Sequence, residues 1–515
     1  MTRPLASSLL VAAAPVALLA AFVLASVALG EATGFFPVLS DFWGNAFAAT
    51  HWKWSARQQW NGFYPPGYPT ILAALPGRRL VESAYYFNLV AGVGLLLSVW
   101  AFTARWAGAA AALVAMVAVA AHPLVLTQVL TTGPDALFLT LAVAGALVAF
   151  TAISRRLPSA RLLVAAGLLL GTASWVRYHG LSWALAVLAA ALVVGGGRRV
   201  LRPVAMGAAV FVSFAAGLAL LGIAAGDLGA LARDQAFNVY KGHVGAVDWF
   251  HLDRASLPAT IGEAIARDPS AFWQSYLSFG LPHLWLGLAC VLAAAVASGA
   301  ARRFALFVLG IGLAFVPLVN LGASPRGIAS LVPLVLVAVT WGVADALTRI
   351  DRRWMRTAAA GVALLSAAAY VWHSWLPEHR RYLEEVRYRS ARAVEIEALL
   401  RADRVQLGTQ VFAVADFHFV NAPGWHVGNY FPRIAGGWPT LDLPEFLDTY
   451  PPPSTANLDA FLDDCQRFGI SHLVLSDASG ALFPALGQLF DGRVTSARVA
   501  DIGGIPGVRI FRIVG

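Results

Sequence analysis

The chain has 515 residues, 58% of them hydrophobic and only 13% charged. Soluble domains carry about 25% charged and about 45–50% apolar residues, so a water-soluble chain of this length could not hide its apolar surface in two or three cores; the excess must face lipid. The formal net charge of +9 is carried almost wholly by arginine, Lys53 and Lys241 being the only lysines, and two cysteines exclude a disulfide framework or a four-cysteine metal site.

A membrane-crossing helix needs roughly 20 predominantly apolar residues. In chain order such runs fall at about 7–30, 82–104, 106–122, 134–153, 161–176, 179–196, 203–225, 280–298, 304–322, 327–345 and 357–376, eleven in all, of which the third and fifth are short. Residues 1–30 could be a cleaved leader, with small residues at Ala25-Ser26-Val27-Ala28. The apolar stretch is longer than a usual signal core and only Arg3 precedes it, so it reads as an uncleaved first helix. Arginines mark every second connection: Arg105; Arg155, Arg156 and Arg161; Arg198, Arg199 and Arg202; Arg302 and Arg303; Arg349, Arg352, Arg353 and Arg356. The positive-inside rule puts these loops and the N-terminus in the cytoplasm. With Arg3 they outweigh the neighbouring Asp345 and Asp351 by more than the whole chain's +9, so the remainder is net acidic and the basic excess is a topology signal, not a nucleic-acid patch. Arg78 and Arg79 are the exception.

Eleven crossings leave three pieces on the outer face: loops at about 31–81 and 226–279, and the tail. The expected architecture is a polytopic α-helical membrane module over 1–376 with a small α/β domain over 377–515. In the first loop, Tyr64 to Leu75 is apolar but too short to span, and reads as a helix lying along the interface. In the tail, Glu378–Arg404 has helical period, Gln410–Val414 and Ile470–Ser476 read as strands, Thr455 as the cap of a helix over Ala456–Phe468, and Arg493–Ala500 and Gly507–Val514 as alternating strands.

Polar groups at membrane depth are costly and therefore candidates for function. Asp41, in Ser40-Asp41-Phe42-Trp43, follows the first span; partial desolvation would make it a base, and a helix cap is the plainer alternative. Asp135, in Thr131-Thr132-Gly133-Pro134-Asp135, opens the fourth run, where proline at the first helical position and an acid in the first turn make a sufficient helix start. Arg177-Tyr178-His179 forms a tight outer turn, with Arg177 either bound to phosphate or snorkelling to headgroups. Arg326, in Ser324-Pro325-Arg326-Gly327, occupies the equivalent outer turn between the ninth and tenth runs. The loop near 226–279, with Lys241-Gly242-His243 and Trp249-Phe250-His251, suits a lid over a sugar or lipid headgroup, or a loop lying on the bilayer. His51, His122, His179, His243, His251 and His283 all fall on the outer side, but no pair has the i, i+4 spacing of a zinc helix. No phosphate-cradling glycine loop is present.

The order of these features resembles the GT-C membrane glycosyltransferases, in particular the bacterial branch related to protein O-mannosyltransferases and the lipid A aminoarabinose transferase. The resemblance rests on Asp41 and Gly62-Phe63-Tyr64-Pro65-Pro66-Gly67-Tyr68-Pro69, on His122-Pro123 through Pro134-Asp135-Ala136-Leu137-Phe138-Leu139, and on Gly167 to Gly171 leading into Arg177-Tyr178-His179-Gly180-Leu181, about residues 30–200. It implies a multi-pass protein of the bacterial inner membrane, its active site and tail facing outward. Such an enzyme moves a single hexosyl or pentosyl unit with inversion from a polyprenyl-phosphate donor to a lipid, glycan or protein acceptor, among membrane lipids and without nucleic acid. It further implies Asp41 and Asp135 as catalytic acids and Arg177 as partner of the donor phosphate. Topology adds Arg326 and Lys241 beside the phosphate, and Tyr64, Tyr178, His179 and His243 as lining residues. Phe42 follows Asp41 where the mannosyltransferases carry an acid pair, which leaves open whether Asp41 holds a divalent metal. Two rivals share the setting: a ligase moving a preassembled glycan from a polyprenyl carrier, and a lipid-linked glycan flippase. The flippase would need a polar path, whereas the middles of the runs are nearly all Ala, Leu, Val and Gly.

Overall fold

A computed structural model describes residues 5–33, 35, 42, 45, 49, 65–75, 80–196, 198–224, 266, 284–319, 328–404, 410–414, 426–428, 456–467, 469–476 and 479–514. Helices occupy all eleven apolar runs: α1 (Leu5–Thr33), then, after the short α2 (Gly67–Ala74), α3 (Leu80–Ala107), α4 (Ala109–Ala121) with α5 (Pro123–Leu130), α6 (Asp135–Ile153), α7 (Ala160–Val176), α8 (His179–Val194), α9 (Arg198–Ala224), α10 (Leu284–Val296), α11 (Gly299–Val319), α12 (Leu331–Thr348) and α13 (Arg353–Tyr370). Fewer of them are full-length spans than the sequence suggests. Among the described residues six helices are long and apolar enough to cross, and α4 with α5 makes a seventh if that pair, bent by 64°, counts as one. Pro123 causes the bend, because it has no N–H to give and its ring collides with the preceding turn. Helices α7 and α8 are apolar but short, at 17 and 16 residues, hence about 25 Å long.

α1 and α3 run antiparallel, as do α8 and α11. Tyr85 near the start of α3 donates to the Ser26 carbonyl near the end of α1 (2.6 Å), and Arg303 near the start of α11 donates to the Val194 carbonyl at the end of α8 (3.4 Å). The bundle end bearing Arg105, Arg302, Arg303 and Arg349 is filled by aromatic rings: Phe102, Trp106, Phe150, Phe304, Phe307 and Trp341, with centroids 4.9–6.4 Å apart, mostly edge-to-face or tilted. Asp345 accepts from the Ser298 amide (2.8 Å) and hydroxyl (2.9 Å), tying the α10–α11 turn to α12.

α13 buries none of its side chains among the other helices. It continues through a π turn (Val371–Trp375) into α14 (Leu376–Ala402). Beyond lies a five-stranded sheet of order β2-β1-β3-β5-β4, built from β1 (Gln410–Val414), β2 (His426–Gly428), β3 (Ile470–Ser476), β4 (Val499–Ile505) and β5 (Val508–Ile513). The first three strands are mutually parallel, and β5 runs antiparallel to both β3 and β4. Helices α15 (Leu458–Arg467), α16 (Ser479–Leu482) and α17 (Pro484–Phe490) belong to this part, whose own apolar cluster includes Phe461, Leu462, Leu473, Leu475, Leu486 and Phe511.

Two tail expectations are corrected. The fourth strand occupies 499–505, not 493–500, because Pro506-Gly507, with Gly507 at φ +77°, makes the two-residue turn that sets the β4–β5 register. Asn457 caps α15, its Oδ1 accepting from the Ala460 amide at 2.8 Å, while Thr455 lies outside the described residues. Both cysteines are free and buried, and burial pushes the Cys465 thiol up to about 12, which leaves it unreactive at neutral pH.

α14 is tied to the sheet through Asp403 just past its end. One carboxylate oxygen accepts from His472 Nε2 (2.9 Å) and the other from Arg512 (2.8 Å), while Ser471 Oγ bonds His472 Nδ1 at 2.7 Å. Burial pushes the His472 imidazole below its usual range, helped by the Arg512 charge and opposed by Asp403. Between the ordinary value near 6.5 and the lowered one the unfolded chain binds more protons, so this site's stability is complete above about pH 6.5 and falls as pH drops. The expected result is an apparent unfolding temperature lower at pH 5.5 than at pH 7.5, with a smaller drop in His472→Asn. An equal drop in both chains rules His472 out as the source.

Candidate functional site

At the end opposite the aromatic cluster, three segments distant in sequence meet. α6 begins at Asp135, with Pro134 in the cap position and not, as the sequence suggested, at the first helical position. α7 stops at Val176 and α8 starts at His179, so Arg177 and Tyr178 alone make the connection. Arg177 is extended (φ −146°, ψ 136°) and its amide closes the last turn of α7 on the Ala173 carbonyl (3.0 Å). Gly180 permits so short a turn: a Cβ there would meet the Ser174 backbone at 2.5 Å.

The Arg177 guanidinium and the Asp135 carboxylate form an ion pair, the carboxylate only 3% exposed and the arginine 15%. Two helix dipoles favour this arrangement. Asp135 sits in the first turn of α6, where free amides stabilise an anion, and Arg177 follows the last turn of α7, where free carbonyls stabilise a cation. Removing one partner would strand a buried charge on the other. A guanidinium is a planar fork of N–H donors, and the pair fixes that fork's orientation.

The first-loop segment arrives at the same place. A Cβ on Gly67 would lie 2.6 Å from the Trp175 carbonyl oxygen, so α2 packs backbone against backbone beside Arg177. α2 is thus not simply laid on the bilayer surface as its sequence suggested, since Tyr68 and Leu72 are fully buried within the protein. Below the pair, Trp183 donates to the Ala142 carbonyl (2.9 Å) and meets Phe315 edge-on at 4.8 Å, fixing α8 on α6. Trp175 donates to the Phe214 carbonyl (3.0 Å), fixing α7 on α9.

Leading into Asp135, Thr131 and Thr132 are buried, and the Thr131 carbonyl accepts from Asn88 Nδ2 at 2.9 Å. Sequence reasoning missed Asn88: a single amide in an otherwise apolar run was the signal available. Tyr178 and His179 lie half-buried in the turn beside Arg177. The structure thus brings Asp135, Arg177, Tyr178 and His179 to one end of the bundle. Asp41, Tyr64, Lys241, His243 and Arg326 lie outside the described residues, although Phe42 and Asn45 beside Asp41 are helical and buried. Among the described residues no three His, Cys, Asp or Glu side chains group as a metal site.

No protein-family model matches the chain, and no curated protein does. Solved structures do match. ArnT from Cupriavidus metallidurans, bound to undecaprenyl phosphate, aligns over 96% of this chain and 97% of its own with a TM-score of 0.52 at 14% identity. The apo oligosaccharyltransferase of Archaeoglobus fulgidus aligns over 92% of this chain and 72% of its own, with a TM-score of 0.51 at 14% identity. In architecture, therefore, this chain has the fold of the GT-C membrane glycosyltransferases.

Proposed function

We propose that the protein is an inverting glycosyltransferase that moves a single sugar from a polyprenyl-phosphate donor to an acceptor at the outer face of the bacterial inner membrane. The observation that carries the reading is the buried Asp135–Arg177 pair, set at the bundle end away from the arginine-bearing connections and abutted by the first-loop helix. The undecaprenyl phosphate bound by ArnT supports a donor of that class. In the reaction, Asp41 takes the proton of the acceptor hydroxyl. The freed oxygen attacks the anomeric carbon from the face opposite the phosphate, the C–O bond to phosphate breaks, and polyprenyl phosphate departs with the bonding pair. Arg177, oriented by Asp135, meets the charge that grows on the leaving phosphate. Eleven crossings, an N-terminus inside and the tail outside complete the proposal, with Arg326 and Lys241 near the phosphate and Tyr64, Tyr178, His179 and His243 along the sugar. The hexosyl or pentosyl nature of that sugar follows from the donor that turns over.

Two measurements test the reading together. Purified protein in lipid nanodiscs should release polyprenyl phosphate from a panel of polyprenyl-phosphate sugars when supplied with envelope lipid or glycan acceptors. A cysteine placed at Ser454 should react with a membrane-impermeant maleimide in intact cells. Labelling only after lysis would put the tail on the wrong side and end the proposal.

A further inference from the structure

The bend between α4 and α5 creates a problem that the tail helix solves. At a helix end the last carbonyls lose their partners, and Ala121 ends α4 just before Pro123. His379 of α14 supplies the missing donor, its Nε2 lying 2.7 Å from the Ala121 oxygen. His122 caps α5 by accepting from the Leu124 amide at 3.2 Å, and its ring is held between Trp375 (centroids 4.9 Å) and Trp285 (6.2 Å). Further along the same face, α14 buries the Tyr382 phenol oxygen. Trp375, His379 and Tyr382 are spaced i, i+4 and i+7, one face of a helix, and Val386, buried, continues the stripe. The π turn at 371–375 separates this protein-facing stripe from α13, which buries nothing.

We propose that α14 is a positioning element for the Asp135–Arg177 pair. Trp375 and His379 hold the start of α5, and that short helix with the four residues from Thr131 to Pro134 passes the placement to Asp135. The inference rests on the reading of that pair as the donor site, but it is tested by a signal independent of turnover. His379 and Trp375 are positioning residues, not catalytic ones, since each acts through the backbone or side chain of the 121–135 segment. At its far end α14 is joined to the sheet through Asp403, His472 and Arg512, so the sheet and the site share one rigid helix.

The experiment is amide hydrogen exchange on the full chain in nanodiscs, with donor kinetics on the same samples. His379→Ala should speed exchange within 122–135 by roughly 5–30-fold, the range set by losing about one hydrogen bond, while the core of α6 keeps its protection. His379→Gln, which can still donate to the Ala121 oxygen, should restore slow exchange. Where turnover is measured, kcat should fall with little change in KM for the donor. Unchanged exchange within 122–135 in His379→Ala overturns the proposal, as does a failure of Gln to rescue. Absence of turnover in the parent chain would refute the proposed function instead, and the exchange data would still decide the clamp.

Discussion

Arg177→Ala should slow turnover by roughly 10²–10³-fold, the range seen when a donor to a developing oxyanion is lost. In the proposed reaction the guanidinium meets the departing phosphate as it gathers charge, and binding the transition state more strongly than the ground state is the condition for raising kcat. The same substitution leaves Asp135, 3% exposed, without its counter-ion, and breaking a buried pair destabilises by about 3–5 kcal/mol. Two effects must therefore be separated. Arg177→Met combined with Asp135→Leu removes both charges and should recover much of the stability, because a well-packed apolar pair is often as stable as the ions it replaces. It should recover none of the rate. Arg177→Lys keeps the charge but not the planar fork and should be partly active. If the apolar double variant turns over at the parent rate in nanodiscs, the pair is a structural strut and the phosphate must be sought at Arg326 or Lys241.

Asp41→Asn should cost about 10²–10⁴ in rate, the usual contribution of a positioned general base. Asn keeps the size and the capping ability of Asp, so a purely structural role at the start of a helix predicts a folded and active enzyme. The pH profile gives a second readout: the parent should lose activity as Asp41 is protonated, and the variant's residual activity should lack that acidic limb. An Asn variant with parental kcat and an unchanged acid limb removes Asp41 from the chemistry.

Local features were legible in the sequence; distant pairings were not. Asp135 opening a helix, the strands at 410–414 and 470–476 and the helix in the charged stretch after 376 are each signalled within a few residues by capping, alternation or period. The Asp135–Arg177 pair joins residues 42 positions apart, and each alone has a sufficient local explanation as helix start or snorkel. What relates them is the packing of α6 on α7, which no local pattern reports. His379 was hidden for a similar reason. In a helix crowded with charge it reads as one more polar residue, and its role depends on a carbonyl freed by a proline more than 250 residues earlier. The fourth strand was misplaced because alternation over 493–500 competed with the turn signal at Pro506-Gly507, and the turn decided the register.

The aromatic rings at the arginine-bearing end bear on how such a protein coexists with an energised membrane. A site open to water at one end of the bundle would drain the ion gradient if a file of water could reach the other end. Phe102, Phe150, Phe304 and Phe307 are almost wholly buried and carry no polar atom on which such a file could form, and Trp341 closes over them. Each ring pair adds about 0.5–1.5 kcal/mol to the apolar burial it already provides, so opening the cluster wide enough for water would disrupt several contacts at once. In the proposed reaction such a plug keeps hydration, and with it the proton taken from the acceptor, in a single aqueous phase.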